Sequence, residues 1–339
     1  MAKRWKARPE GSNWGEFGED DQRGRLNLLT PERRLRAMEE VKVGRLFCLS
    51  HPLDKPGGNI LNAGRHPPVF HPVMREGELY FNLASGKSDP RYTDVGSDEA
   101  VLLYSQYSTH WDSFAHKGTR FDADGDGAQE SVSYNGFRVV DENGRGTQGE
   151  LGAVALSVAG MAENGIQGRA VMIDLRHHFG DVRTAVTWEM LERVMKVDAV
   201  TVEKGDIVCL HTGLGQLIQD ANGKLDASIR TQCAVLDGFD TRLLEWIADS
   251  GLAAIAADNL AVERSSTLGP DPRMPHRGPQ LPLHEHCLVK LGIHLGELWY
   301  VTELATWLRE HGRSRFLLTA PPLRMPGAVG SPVTPIATV

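Results

Sequence analysis

Ala170-Val-Met-Ile-Asp-Leu175 is the stretch on which the fold turns. An apolar run of this length, preceded by Gly168, reads as a buried strand. Thr187 then stands where a helix cap belongs, ahead of Trp188 to Val197. Asp206-Ile-Val-Cys-Leu-His-Thr212 is a second apolar strand. The pattern continues with a helix over Thr241 to Asp249 that Gly251 ends, and a strand at Ala253 to Ala257. A helix over Val301 to His311 with Gly312 as its stop precedes a strand at Arg315 to Thr319. Strands alternating with helices specify an α/β fold.

Upstream, Thr30-Pro31-Glu32 predicts a helix start, with Thr as N-cap, Pro at the first position and an acid in the first turn. Leu35, Met38 and Val41 supply an apolar face. Arg45 to Ser50 reads as a strand. Residues 1–30 form an N-terminal arm, and residues 51–95, rich in Pro, Gly and His, form a covering loop. No linker divides the chain, so residues 1–339 are expected to be a single domain.

The bulk composition is that of a globular protein: 339 residues, 41% hydrophobic and 24% charged, with net charge −7. The negative balance and lack of a basic run argue against a nucleic-acid partner. No run approaches the ~20 apolar residues that span a bilayer, and the N-terminus lacks an apolar leader. A cytoplasmic protein without membrane association is expected. The four cysteines, Cys48, Cys209, Cys233 and Cys287, show no C-x-x-C spacing, so they are expected to be free buried thiols rather than zinc ligands or disulfides.

Chemistry concentrates in two places. One is Gln106-Tyr-Ser-Thr-His-Trp-Asp-Ser-Phe-Ala-His116; the other is Leu283-His-Glu-His-Cys-Leu-Val-Lys-Leu-Gly-Ile-His-Leu-Gly-Glu297. Ala100 to Tyr107 reads as a strand, and if it runs on to Asp112, Gln106, Ser108, His110 and Asp112 share a face. An imidazole and a carboxylate on one face suit a divalent metal. The blander reading is a hydrogen-bonded surface pair. Trp111 and Phe114 argue for burial, and buried polar groups need partners. Asp122-Ala-Asp-Gly-Asp-Gly127 imitates the start of a calcium loop, but position twelve is Ser133 instead of a bidentate Glu. A solvated turn is expected there.

The first stretch resembles the signature His-x-Gly-Thr-His-x-Asp-x-x-x-His of the cyclase family of metal-dependent hydrolases, which includes bacterial kynurenine formamidase and isatin hydrolase. The matching residues are Gln106, Ser108, Thr109, His110, Asp112 and His116. Further landmarks are Tyr134-Asn-Gly136, Gly168 to Asp174, Gly205-Asp-Ile-Val, Thr212-Gly213, Asp258-Asn259, Leu283-His284, Gly292-Ile293, Glu297-Leu298 and Pro321 to Pro332. Asn27-Leu-Leu-Thr-Pro31 resembles the longer bacterial members, so the resemblance covers nearly the whole chain.

The resemblance implies a swivelling β/β/α fold with a mixed β-sheet core flanked by helices. It implies a metal site of zinc or manganese held by His110 and Asp112, with Gln106 in the place of the family's first histidine. His284 and Glu297 complete the ligand set, and His116 is the general base. The two dense stretches are then expected to meet at one centre. Gln106 and Ser108 depart from the pattern. A neutral amide oxygen is a weaker zinc ligand than imidazole, which favours manganese or another oxygen-tolerant ion. His286 competes with His284 for the ligand position; spacing to Gly292-Ile293 favours His284.

His66, His71, Trp111, Phe114 and His211 are candidates to line a substrate pocket. His177 and His178 are expected at the surface or as caps, His276 and His294 as structural, and Asp258 and Glu263 as orienting partners of ligands. The expected activity is hydrolysis of an amide, lactam or lactone of a small, cyclic or aromatic substrate. A metal-dependent lyase or dehydratase, and a relative that binds without turnover, are the alternatives. Relatives imply a homodimer or larger homo-oligomer.

Overall fold

A computed structural model of the protein describes residues 4–264, 271–275 and 277–339; His276 lies outside the described residues. Among the described residues, the largest sheet has nine strands: β1 Leu46–Cys48, β2 His110–Asp112, β3 Gln167–Asp174, β4 Ile207–His211, β5 Ala254–Ala257, β6 His294–Glu297, β7 Arg315–Thr319, β8 Gly330–Pro332 and β9 Ile336–Thr338. Their order is β1-β9-β7-β3-β4-β5-β6-β2-β8. The central strands β3 to β6 run parallel, and the flanking pairs are antiparallel.

The middles of strands β3 to β5, such as Ala170 to Ile173, are apolar because both faces are covered. Side chains alternate between two cores with the period of two that a pleated strand imposes. Val171 and Ile173 of β3, Val208 and Leu210 of β4, and Ile255 and Ala257 of β5 enter one core. Ala170 and Met172, Ile207 and Cys209, and Ala254 and Ala256 enter the other. Helices α1 Pro31–Met38, α2 Trp188–Val197, α3 Leu214–Ala221, α4 Thr241–Ser250 and α5 Thr302–Glu310 accompany the sheet. Gly251 and Gly312, at φ +68° and +60°, end α4 and α5 in the left-handed region that glycine adopts without penalty.

Several expectations change. Thr30 does cap α1, its side chain accepting from the Arg33 N–H, but Leu35 and Met38 are exposed and Ala37 is the buried residue. The helix is short, and a small side chain at position 37 allows close approach to the sheet. Thr187 precedes α2 without a side-chain cap; Asp240 Oδ2, 2.6 Å from the Trp188 nitrogen, satisfies that N–H instead. The strand expected over 100–107 stops early. It occupies Glu99–Leu102 and pairs with Val69–Pro72, so much of the loop 51–95 is short, exposed hairpin structure. Among the described residues no helix is long and apolar enough to cross a membrane. The four cysteines are free thiols; Cys209, Cys233 and Cys287 are buried as expected, but Cys48, on the edge strand β1, is exposed.

Candidate metal centre

β2 and β6 bring the two dense stretches together. Glu297 lies directly across from His110, and Leu295 from Asp112. Residues paired across an antiparallel ladder share a face, so His110, Asp112 and Glu297 project together, while Trp111 between them enters the opposite core. A third element, the short helix Pro282–His284 continuing as a wide π-turn over Glu285–Leu291, carries His284 to the same place. Such wide turns are frequent at functional sites.

His110, Asp112, His284 and Glu297 are all at most 4% exposed. His110 Nε2 lies 3.6 Å from Asp112 Oδ1 and 3.7 Å from Glu297 Oε2. His284 Nε2 lies 3.2 Å from Glu297 Oε1 and 3.9 Å from Asp112 Oδ2. Donor atoms of His110, Asp112 and Glu297 fall within 4.8 Å of one another, and so do those of Asp112, His116 and His284. Asp112 belongs to both groups.

The outer nitrogens show how these rings are held. His110 Nδ1 donates to the Ser108 carbonyl at 2.7 Å, which turns the Nε2 lone pair inward. His284 Nδ1 faces Glu263 Oε1 at 2.9 Å, and the same oxygen accepts from the His284 backbone N–H at 2.8 Å. Glu263 Oε2 accepts from the Leu283 N–H. Imidazole ligands are oriented by such partners in metal sites. His110 Nε2 and Asp112 Oδ2 are buried without a hydrogen-bond partner. Buried polar atoms left unsatisfied are costly, and a cation between them removes that cost. This donor set, two imidazoles and two carboxylates, fits zinc or manganese.

The electrostatics agree. Burial, then the neighbouring Glu297 charge, raise the Asp112 carboxyl above its ordinary value. Burial opposes ionisation of Glu297 too, but the His284 hydrogen bond and the His110 charge outweigh it and hold that carboxyl well down. Burial works against a charged His284, yet Glu263 and Glu297 together raise it to about 10.

His116 sits at the rim. Its Nδ1 is 3.1 Å from Gln106 Nε2. Burial, then the His284 charge, lower its pKa to about 3, so the ring is neutral. The same Gln106 nitrogen donates to Asp112 Oδ1. A carboxylate only accepts, so the amide N–H2 group, not the oxygen, faces Asp112 and His116. Gln106 reaches this position from the turn that follows Leu102, not from a continuous strand. Gly330 makes room for it: a Cβ there would lie 2.4 Å from Gln106 Cγ.

Other candidates lie elsewhere. Trp111 and Phe114, expected to line a pocket, are fully buried core residues; Phe114 stacks on His294 at 3.8 Å. His66 and His71 are exposed, and His66 packs against Tyr104. His211 is buried in a separate network, 2.7 Å from Asp174 and 3.2 Å from Thr302 Oγ1. His286 points away, to the Leu244 carbonyl at 2.8 Å. Asp258 receives the Thr212 and Gly213 N–H groups. His178 pairs with Asp198, and Asp174 caps the His177 N–H. The Asp122 side chain is occupied by the N–H groups of Gly125, Asp126 and Gly127. Sequence reading missed Arg65, whose guanidinium donates to the Gln106 carbonyl, because nothing around it in the loop marks it out. It also missed Lys117, although it directly follows the signature.

The family model described as Cyclase matches residues 47–264. A solved structure described as "a novel cyclase" is 30% identical, covers 97% of this chain and 99% of its own, and superposes with a TM-score of 0.74. Isatin hydrolase A from Ralstonia solanacearum is 14% identical, over 86% of this chain and 91% of its own, at a TM-score of 0.53. An isatin hydrolase bound to the product analogue thioisatinate is 11% identical, over 91% of this chain and 99% of its own, at 0.55. These last two show a shared fold. No curated protein matches the sequence.

Proposed function

Because this chain belongs to the Cyclase family, we propose that it is a metal-dependent hydrolase that opens an amide, lactam or lactone bond of a small molecule. The observation that carries this reading is the convergence of His110, Asp112, His284 and Glu297, with His110 Nε2 and Asp112 Oδ2 buried and unsatisfied. The isatin hydrolases of the same fold support the reaction class.

In this reading those four side chains hold one zinc or manganese ion. When bound, such an ion polarises a carbonyl and makes water nucleophilic near neutral pH. The protein does the rest. Ser108 and Glu263 fix the two imidazoles, so the ligands are in place before the ion arrives. His116, neutral by burial, takes the proton of the attacking water and returns it to the leaving atom. Accepting that proton at Nδ1 requires the Gln106 N–H to withdraw, which makes Gln106 part of the proton-transfer step.

The test is elemental analysis of the gently purified protein, followed by a screen of cyclic amides and lactones in isotopically labelled water. About one ion per chain and label in the ring-opened acid are expected. Turnover of a hydroxy acid with no label incorporated would replace the hydrolase with a lyase. A homo-oligomer is part of the proposal, and sedimentation reads it directly.

A further inference from the structure

His284, whose Nε2 faces Asp112 and Glu297, also lines a cavity of about 640 Å³ together with Lys117, Thr119, Arg120, Arg277 and Glu285. His284 ties the cavity to the metal centre. Three of the lining residues are cations and one is an anion, on a chain whose net charge is −7. Glu285 is already engaged, with the Thr119 hydroxyl donating to its Oε1 at 2.7 Å. Among the described residues, none of Lys117, Arg120 and Arg277 is in an ion pair. By contrast, Arg169, Arg176, Arg273 and Arg309 are each paired with a carboxylate. Arg120 is nevertheless held in place: it reaches across the hairpin of Thr119–Phe121 and Glu130–Val132 to donate to the Gln129 carbonyl. The charge of Lys117 is felt at His116.

Unpaired cations gathered at one concave mouth focus a positive potential there and draw in anions. A guanidinium presents a planar fork that matches a carboxylate. We infer that this cavity selects substrates bearing a carboxylate beside the scissile bond, with Lys117, Arg120 and Arg277 receiving that carboxylate while the carbonyl under attack lies toward the His284 end. The inference rests on the hydrolase reading above and adds the substrate class to it.

The test compares two ligands of the same shape, anthranilate and its neutral amide anthranilamide, binding to the manganese-loaded protein by calorimetry. The wild-type chain should bind anthranilate more tightly than anthranilamide. Arg120→Ala combined with Arg277→Ala should weaken anthranilate by about tenfold, as loss of one good charge-assisted contact implies, and leave anthranilamide and metal content unchanged. Arg120→Glu with Arg277→Glu should weaken it further, and raised salt should reproduce part of the loss in the wild type. Equal affinity of the wild type for the two ligands, or an unchanged anthranilate affinity in both double variants, overturns the inference. The failure of the two readings is separable. A charge-dependent affinity with no turnover of any amide or lactone leaves the anion site standing and removes the hydrolase. Turnover of neutral and anionic substrates with the same KM does the reverse.

Discussion

Glu263 grips His284 twice through a single oxygen, accepting from the backbone N–H at 2.8 Å and facing ring Nδ1 at 2.9 Å. The backbone contact anchors the first turn of Pro282–His284, and the ring contact aims Nε2 at Asp112 and Glu297. Glu263→Gln keeps the shape and removes the charge. Metal affinity should fall about 10–100-fold, the usual cost of losing an orienting partner. Competition with a chelator measures it; unchanged affinity would mean that His284 needs no such help.

The roles of His110 and His116 separate by paired measurement. His110 is fully buried with an inward Nε2, so His110→Ala should lose metal and turnover together. His116 stands at the rim, so His116→Ala should retain much of its metal while turnover falls about 10²–10⁴-fold. Complete metal loss from His116→Ala would make it a ligand, in keeping with its grouping with Asp112 and His284.

Gln106 gives a prediction of opposite signs for two substitutions. Gln106→Leu leaves Asp112 Oδ1 and His116 Nδ1 without their shared donor. It should cost about 1–3 kcal/mol of stability, read by denaturant unfolding of the metal-free protein. Gln106→His offers an imidazole instead and should tighten binding of zinc relative to manganese. If neither change moves metal preference or stability, the amide plays no part in the centre.

His51 predicts acid sensitivity away from the metal. It is 4% exposed, packed against Tyr300, and has its Nδ1 2.9 Å from Gln219. Burial, then the Lys55 charge, lower its pKa to about 4. The unfolded chain takes up this proton near pH 6.5 and the folded chain only near 4, so the unfolded state binds more protons in between. Stability is therefore intact above about pH 6.5 and lost as pH falls toward 4, by up to about 3 kcal/mol from this group. His51→Leu should flatten that part of the profile in thermal melts across pH; an identical slope would place the sensitivity elsewhere.

The α/β series from Gly168 onward was legible because its signals are local. Apolar runs and stop glycines act within one element, and Trp188–Val197 and Arg315–Thr319 lie where those signals place them, although Asp240 rather than Thr187 caps the Trp188 N–H. His110 and Asp112 were legible as a pair because a period of two needs only three residues of strand. The meeting of the two dense stretches came from family likeness, and spacing alone does not contain it. It depends on Glu297 pairing with His110 across β2 and β6, two residues separated by most of the chain. Tertiary structure alone decided which way Gln106 turns its amide and that Trp111 and Phe114 are core. It also decided that Lys117, Arg120 and Arg277 share one mouth. The physical reason is common to all of these. Long-range register and burial set which partners a polar group finds, and a residue's own neighbours in sequence carry no record of them.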